Sequence, residues 1–299
     1  VAYFVRTTCK STWFTQVPVA LARASGHPAF GQEWSVTVSR AGDYLLHTWL
    51  RVQLPEVSVT SPTTKRIRWT RNFMHSLIRD CYITFNDLPA AKFDNYHLDF
   101  YTAFTVPASK RVGYDNMIGN VDKLTQGAAT LPAATLNLPL PFFYTRDTGM
   151  ALPTAAIPYN DMRINFNFRN WTELLIAETI NLPAGFNPHK PAVASDIVGG
   201  NITLGNTQVW ANYAIVSNAE RSKMGRSPRD MLVEQVQVLK PQSFHPSTNP
   251  NPSFDIRFSH AIKALFFAAR NSTCPSEWAN YSSASPIRSA TGTLQWKHA

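Results

Sequence analysis

The chain has 299 residues, 44% hydrophobic, 12% aromatic and only 16% charged, with 21 prolines against 13 glycines and a formal charge of +9. That length allows two domains of ordinary size, and the composition suits an all-β protein with long ordered loops that buries surface against partners. No run of 18 apolar residues is present, which excludes a transmembrane helix, and the wide spacing of Cys9, Cys81 and Cys274 excludes zinc-ligand pairs and a disulfide framework.

Taken in order, Val1 to Val5 and Thr12 to Val17 read as edge strands or an arm, and the absence of an initiator Met or leader suggests a fragment or processed chain. Trp34, Val36 and Val38 alternate with polar residues, Arg40 to Asp43 form a turn, and Tyr44 to Leu54 resume as a long strand, so a hairpin is expected. Ser61 to Arg71 reads as a polar loop carrying Lys65, Arg66, Arg68 and Arg71 around Ile67 and Trp69. Leu77 to Phe85, the turn Asn86-Asp87 and Ala90 to Phe93 make a second hairpin. Asp94 or Asn95 then caps a short helix stopped by Pro107, and Ser109 to Thr130 reads as loop.

The chain is organised around Leu131 to Phe168. An apolar run from Leu136 to Tyr144, a polar turn and several prolines lead into Met162 to Phe168, where Met162, Ile164, Phe166 and Phe168 alternate with Arg163, Asn165 and Asn167. A period of two puts the four apolar side chains on one face of a strand. Asn181 to Asn201 has the Pro/Gly composition of a linker. Val209 to Val216 reads as a strand, Ser217 to Glu220 has the capping-box form that starts a helix ending near Gly225, and strands are expected within Met231 to Leu239, Phe254 to Phe258 and Ala261 to Ala268.

The phrases SRAGDYLLHTWLRV, RIRWTRNFMHSLIRDCYITFNDL, FTVPASKRVGYDNMIGN, LNLPLPFFYTRDTGMALPTAAIPYNDMRINF, VWANYAIVSNAER and DIRFSHAIKALFF resemble the major capsid proteins of iridoviruses, nearest the invertebrate iridescent viruses among nucleocytoplasmic large DNA viruses. The resemblance runs from about Tyr3 to about Pro286. It implies a double jelly roll: a first roll with N-terminal arm over 1–185, a linker over 186–203 and a partial second roll over 204–299. It also implies a homotrimeric, pseudo-hexagonal capsomer in an icosahedral shell over an internal membrane. The implied partners are further copies of the chain, minor capsid proteins and that membrane, with no direct nucleic-acid contact, and the implied location is the virion, assembled in the host cytoplasm. Those proteins are longer at both ends, and the ending Thr293 to Ala299 does not look like their continuation. A roll missing its last strands leaves unpaired edges and a half-covered core, so the chain alone is expected to be poorly soluble or partly disordered beyond about Phe254.

No catalytic, cofactor or metal residues are expected. Asp147-Thr148-Gly149 has the aspartic-protease form, but that chemistry needs two carboxylates sharing a proton, and no second copy exists, so a turn between strands is preferred. His75, His97, His245 and His260 are isolated, and Cys81 reads as a buried inert thiol. The candidate assembly or anionic-surface contacts are Lys65, Arg66, Arg68, Trp69 and Arg71, with a second group of Arg221, Lys223, Arg226 and Arg229. Their bland reading is a solvated face; the functional one is contact with a neighbouring subunit's carboxylates or with anionic lipid. The rival functions are a jelly-roll glycan-binding module and an aspartic hydrolase built on Asp147.

Overall fold

The computed structural model describes residues 12–157, 159–183, 186–228, 230–244 and 251–282. The strands in chain order are β1 (Phe14–Ala20), β2 (Ala22–Gly26), β3 (Glu33–Thr37), β4 (Tyr44–Leu54), β5 (Val57–Ser58), β6 (Lys65–Trp69) and β7 (Ile78–Phe85). They continue with β8 (Leu88–Asp94), β9 (Thr130–Leu131), β10 (Ala134–Pro139), β11 (Met162–Phe168), β12 (Leu175–Thr179), β13 (His189–Pro191) and β14 (Gln208–Val216). The helices are α1 (Phe73–Leu77), α2 (Asn95–Thr105), α3 (Ala108–Ile118), α4 (Asp122–Thr125) and α5 (Asn218–Arg226).

Antiparallel pairing builds a four-stranded sheet in the order β1-β14-β4-β10 and a five-stranded sheet in the order β2-β3-β11-β7-β8. A three-stranded sheet, β13-β12-β6, and the short ladder β5-β9 stand beside them. The chain passes back and forth between the two large sheets, in the manner of a jelly roll.

Alternation in β11 is complete: Met162, Ile164, Phe166 and Phe168 are buried and the three residues between them half-buried. Leu50, Val52 and Leu54 of β4, Val209 and Tyr213 of β14, and Trp34 and Val36 of β3 join the same core cluster. Trp34 stacks on Phe166 at 5.3 Å between ring centres. Each side chain of this size contributes about 1.5–3 kcal/mol when fully buried. A bulge opposite Asn212 and Tyr213 shifts the alternation in β4. Leu45 consequently faces the main core, while Leu46 joins a small cluster with Ala151 and Ala214.

The second hairpin is present as read, its turn formed by Asn86 and Asp87 with φ of 49° and 65°, a left-handed pair that suits the twist of the flanking strands. Asp94 caps α2 by accepting from the His97 amide at 2.8 Å.

Other expectations are corrected. β3 and β4 do not form a hairpin; they lie in different sheets, and the Arg40–Asp43 turn carries the chain from one to the other. Gly42 lies so close to Tyr213 that a Cβ there would stand 2.5 Å from the Tyr213 Cβ, so the corner packs tightly against β14. Ser61 to Arg71 is not all loop, because Lys65–Trp69 pair with β12, a partner too distant in sequence to be read locally. Ser109 to Thr130 contains most of α3 and all of α4. Only Ile118 of α3 is buried, so there is no apolar stripe to read, and Gly119 ends the helix at φ 82°.

Asn181 to Asn201 is not an open linker: β13 pairs with β12, and Ala192, Asp196 and Ile197 are buried. β14 pairs with β1 and β4, inside the first sandwich. Ser217 precedes α5 without a side-chain cap bond. Among the described residues, the expected strands within Met231 to Leu239, Phe254 to Phe258 and Ala261 to Ala268 do not form. A strand needs partners for its amides, and this stretch has no strand beside it. Instead Gln237 brackets Ser259 with its side-chain amide, at 3.0 and 3.1 Å. Val1 to Val5, Cys9, Arg229, His245 and Thr293 to Ala299 lie outside the described residues.

Candidate functional site

Strand geometry divides the first basic group. Ile67 and Trp69 point into the core, where Trp69 meets Phe73 edge-on at 4.9 Å. Arg66 and Arg68 point to the opposite face of the three-stranded sheet. Arg68 is buried there, ion-paired with Glu277, and its Nη2 donates to His189 Nδ1 at 3.3 Å. Lys65 pairs with buried Asp196 at 2.5 Å. Arg66 and Arg71 remain exposed.

The second group divides in the same way. Arg221 makes a two-pronged bond to Asp43, with Nε to Oδ1 at 2.7 Å and Nη2 to Oδ2 at 3.0 Å. That guanidinium holds the Asp43 carboxyl below its ordinary value of 3.8, against the opposing effect of burial, and the Val216 amide adds to the lowering. Lys223 and Arg226 are exposed on α5. The two groups therefore lie on separate elements, each with one part committed to internal pairs and one part facing outward.

Between α2, α3 and the outer face of the four-stranded sheet lies an open groove of about 820 Å³, lined by Trp49, Tyr101, Thr105, Lys110, Met117 and Pro139 among others. Large apolar side chains are exposed at two further places. Trp13 and Phe14 stand at β1, the edge of the four-stranded sheet, and Phe254, Ile256, Leu265 and Phe267 stand along the segment without strands.

Two buried polar side chains, His75 and Arg169, meet at α1. His75 is buried between Asp99 Oδ1 at 2.6 Å and the Tyr114 hydroxyl at 2.7 Å. Arg169 donates to the Ser76 and Ile78 carbonyls at 2.7 and 3.1 Å and lies 3.8 Å over the Trp278 ring. Burial pulls the Arg169 pKa down to about 10. The available signals were a lone Arg at the end of an apolar strand and a lone Glu277 between Cys274 and Trp278. Neither has a period.

Asp147-Thr148-Gly149 is an exposed turn in which the Met150 amide donates to the Asp147 carbonyl at 3.0 Å. His97 is partly buried and stacks on Tyr101, and burial lowers its pKa. Cys81 is fully buried, and burial pushes its thiol well up. Among the described residues no group of three His, Cys, Asp or Glu side chains is placed to hold a metal ion. No helix there is long and apolar enough to cross a membrane.

Two family profiles match the chain: major capsid protein N-terminus over residues 2–216, and large eukaryotic DNA virus major capsid protein over residues 220–295. The chain is 60% identical over 301 residues to the major capsid protein of Costelytra zealandica iridescent virus, covering 98% of this chain and 65% of that one. It is 61% identical over 294 residues to that of Wiseana iridescent virus, covering 96% and 61%. The chain thus spans less than two thirds of the length of these relatives. Among solved structures it resembles a subunit of the quasi-atomic PBCV-1 virus capsid with a TM-score of 0.60 at 21% identity, covering 79% of this chain and 50% of that one. That likeness shows the fold, a double jelly roll.

Proposed function

The chain belongs to the viral major capsid protein family, and from that premise we propose that it is a shell-forming subunit of an icosahedral virus particle, with a structural role and no catalytic one. The observation that carries this reading is an antiparallel sandwich of a four-stranded and a five-stranded sheet with large apolar side chains left exposed at its β1 edge and along residues 232–244 and 254–267. Surface of that kind marks a protein that is finished by association. Three chains, each contributing two similar wedges, form a capsomer of pseudo-hexagonal outline, and capsomers tile the shell over an internal membrane in the virion. Assembly takes place in the host cytoplasm, with minor capsid proteins joining the capsomers.

The division between the two rolls falls at about Ser217. Among the described residues the last strand ends at Val216, and the boundary between the two matched profiles lies beside it. Arg66, Arg71, Lys223 and Arg226 are the outward-facing cations available to carboxylates of neighbouring subunits. Lys65, Arg68 and Arg221 serve internal pairs instead.

The test is the mass of the full-length polypeptide by light scattering at moderate salt. A stable trimer is expected. A strict monomer with a folded sheet signature would overturn the reading in favour of a binding module.

A further inference from the structure

The segment from Asn271 to Ser282 lies within the second profile, yet it docks on the first sandwich. It closes into a loop through the Asn271 amide, which donates to the Asn280 carbonyl at 2.9 Å. Trp278 sits between two guanidinium groups, 3.8 Å from Arg169 and 4.7 Å from Arg270, and its Nε1 donates to the Glu173 carbonyl at 2.9 Å. The Tyr281 hydroxyl donates to Asp99 Oδ2 at 2.9 Å, and Asn187 Nδ2 donates to the Thr273 carbonyl at 3.2 Å. Beneath the loop, Glu277 accepts from Arg68 and, at 2.9 Å, from Asn280 Nδ2.

The Arg68 contact to His189 fixes a protonation state. A guanidinium can only donate, so His189 Nδ1 is an acceptor and the imidazole is neutral. We propose that residues 271–282 form a clasp on the first sandwich that neutral His189 keeps shut, and that protonation of this imidazole opens it. The added proton would remove the acceptor for Arg68 and set a second cation against it. The charged and titratable groups around the site are Arg66 and Arg68 from β6 and Glu178 from β12, which share a sheet face with His189 by register, and Cys274 and Glu277 from the clasp beside Arg68; Lys190, next along β13, points to the other face. Glu178 is in register with both His189 and Arg66.

Burial, with the Arg68 charge as second cause, holds the His189 pKa at about 4 against an ordinary 6.5. The sign follows from linkage: the open state binds the proton more tightly, so closure is at full strength above pH 6.5 and is lost as pH falls toward 4.

Hydrogen exchange of this chain at pH 7 and pH 4, expressed as protection factors, tests the clasp. Protection of residues 271–282 is expected to fall at least tenfold at the lower pH while β4 and β11 stay protected. His189→Gln keeps an acceptor and cannot titrate, so its clasp is expected to hold at pH 4. Equal loss in His189→Gln and wild type, a wild-type clasp that stays closed at pH 4 or is open at pH 7, or loss only together with β4 and β11 would each overturn the proposal.

Discussion

β11 and the stretch from Met231 to Leu239 both carry alternating apolar and polar residues, yet β11 sits in a five-stranded sheet with β3 on one side and β7 on the other, while the later stretch lies alongside Ser259 through side-chain bonds. The difference teaches that alternation is permission to form a strand and partners are the cause. β11 buries its apolar face against Trp34 and the β4 side chains and fills both rows of its backbone bonds. In the later stretch Leu232, Val238 and Leu239 stay exposed, and among the described residues no strand pairs with it. Exposed apolar residues without a ladder are the sites where association or aggregation begins.

The largest effect that separates the two regions is expected for Phe166→Ala. It empties the middle of the shared core and should cost about 3–5 kcal/mol in chemical unfolding; a loss below 1 kcal/mol would mean that β11 is not central. Gly42→Val comes next. The new Cβ would meet the Tyr213 Cβ at 2.5 Å with backbone close behind, so a loss of about 1–3 kcal/mol is expected from overpacking at the turn between sheets.

Asp43→Asn weakens the link between that turn and α5, by about 1 kcal/mol at pH 7 for hydrogen bonds to a charged group that is partly open to solvent. Because the folded Asp43 value lies below 3.8, its contribution is present above that pH and disappears as pH falls through the lower, folded value. The variant should therefore show a shallower acid limb than wild type when unfolding midpoints are plotted from pH 5 to pH 2. An unchanged slope would remove the Asp43–Arg221 pair from the stability of the corner. The smallest effect belongs to the region without strands: Phe267 is 87% exposed, and Phe267→Ser should shift unfolding by less than about 0.5 kcal/mol while lowering light scattering of concentrated samples.

Much of the first sandwich was legible because its signals are local. The β11 face follows from a period of two, the β7–β8 hairpin from Asn86-Asp87, and the start of α2 from Asp94. α3 was not legible, since a helix lying on the surface needs no apolar stripe. The candidate contacts were legible as cations and not as contacts. Lys65, Arg68 and Arg221 find carboxylates at Asp196, Glu277 and Asp43 that lie far along the chain, and no spacing rule links them.

By itself the sequence determined the all-β class, the family and the faces of the central strands, because side-chain alternation and shared phrases are properties of neighbouring residues. Only the tertiary structure decided that β3 and β4 part into different sheets, that β14 pairs between β1 and β4, and that Glu277, Trp278 and Tyr281 return to dock on that sandwich. Those outcomes depend on which distant segments supply amides, carboxylates and rings to one another, and that is settled only when the whole chain is folded.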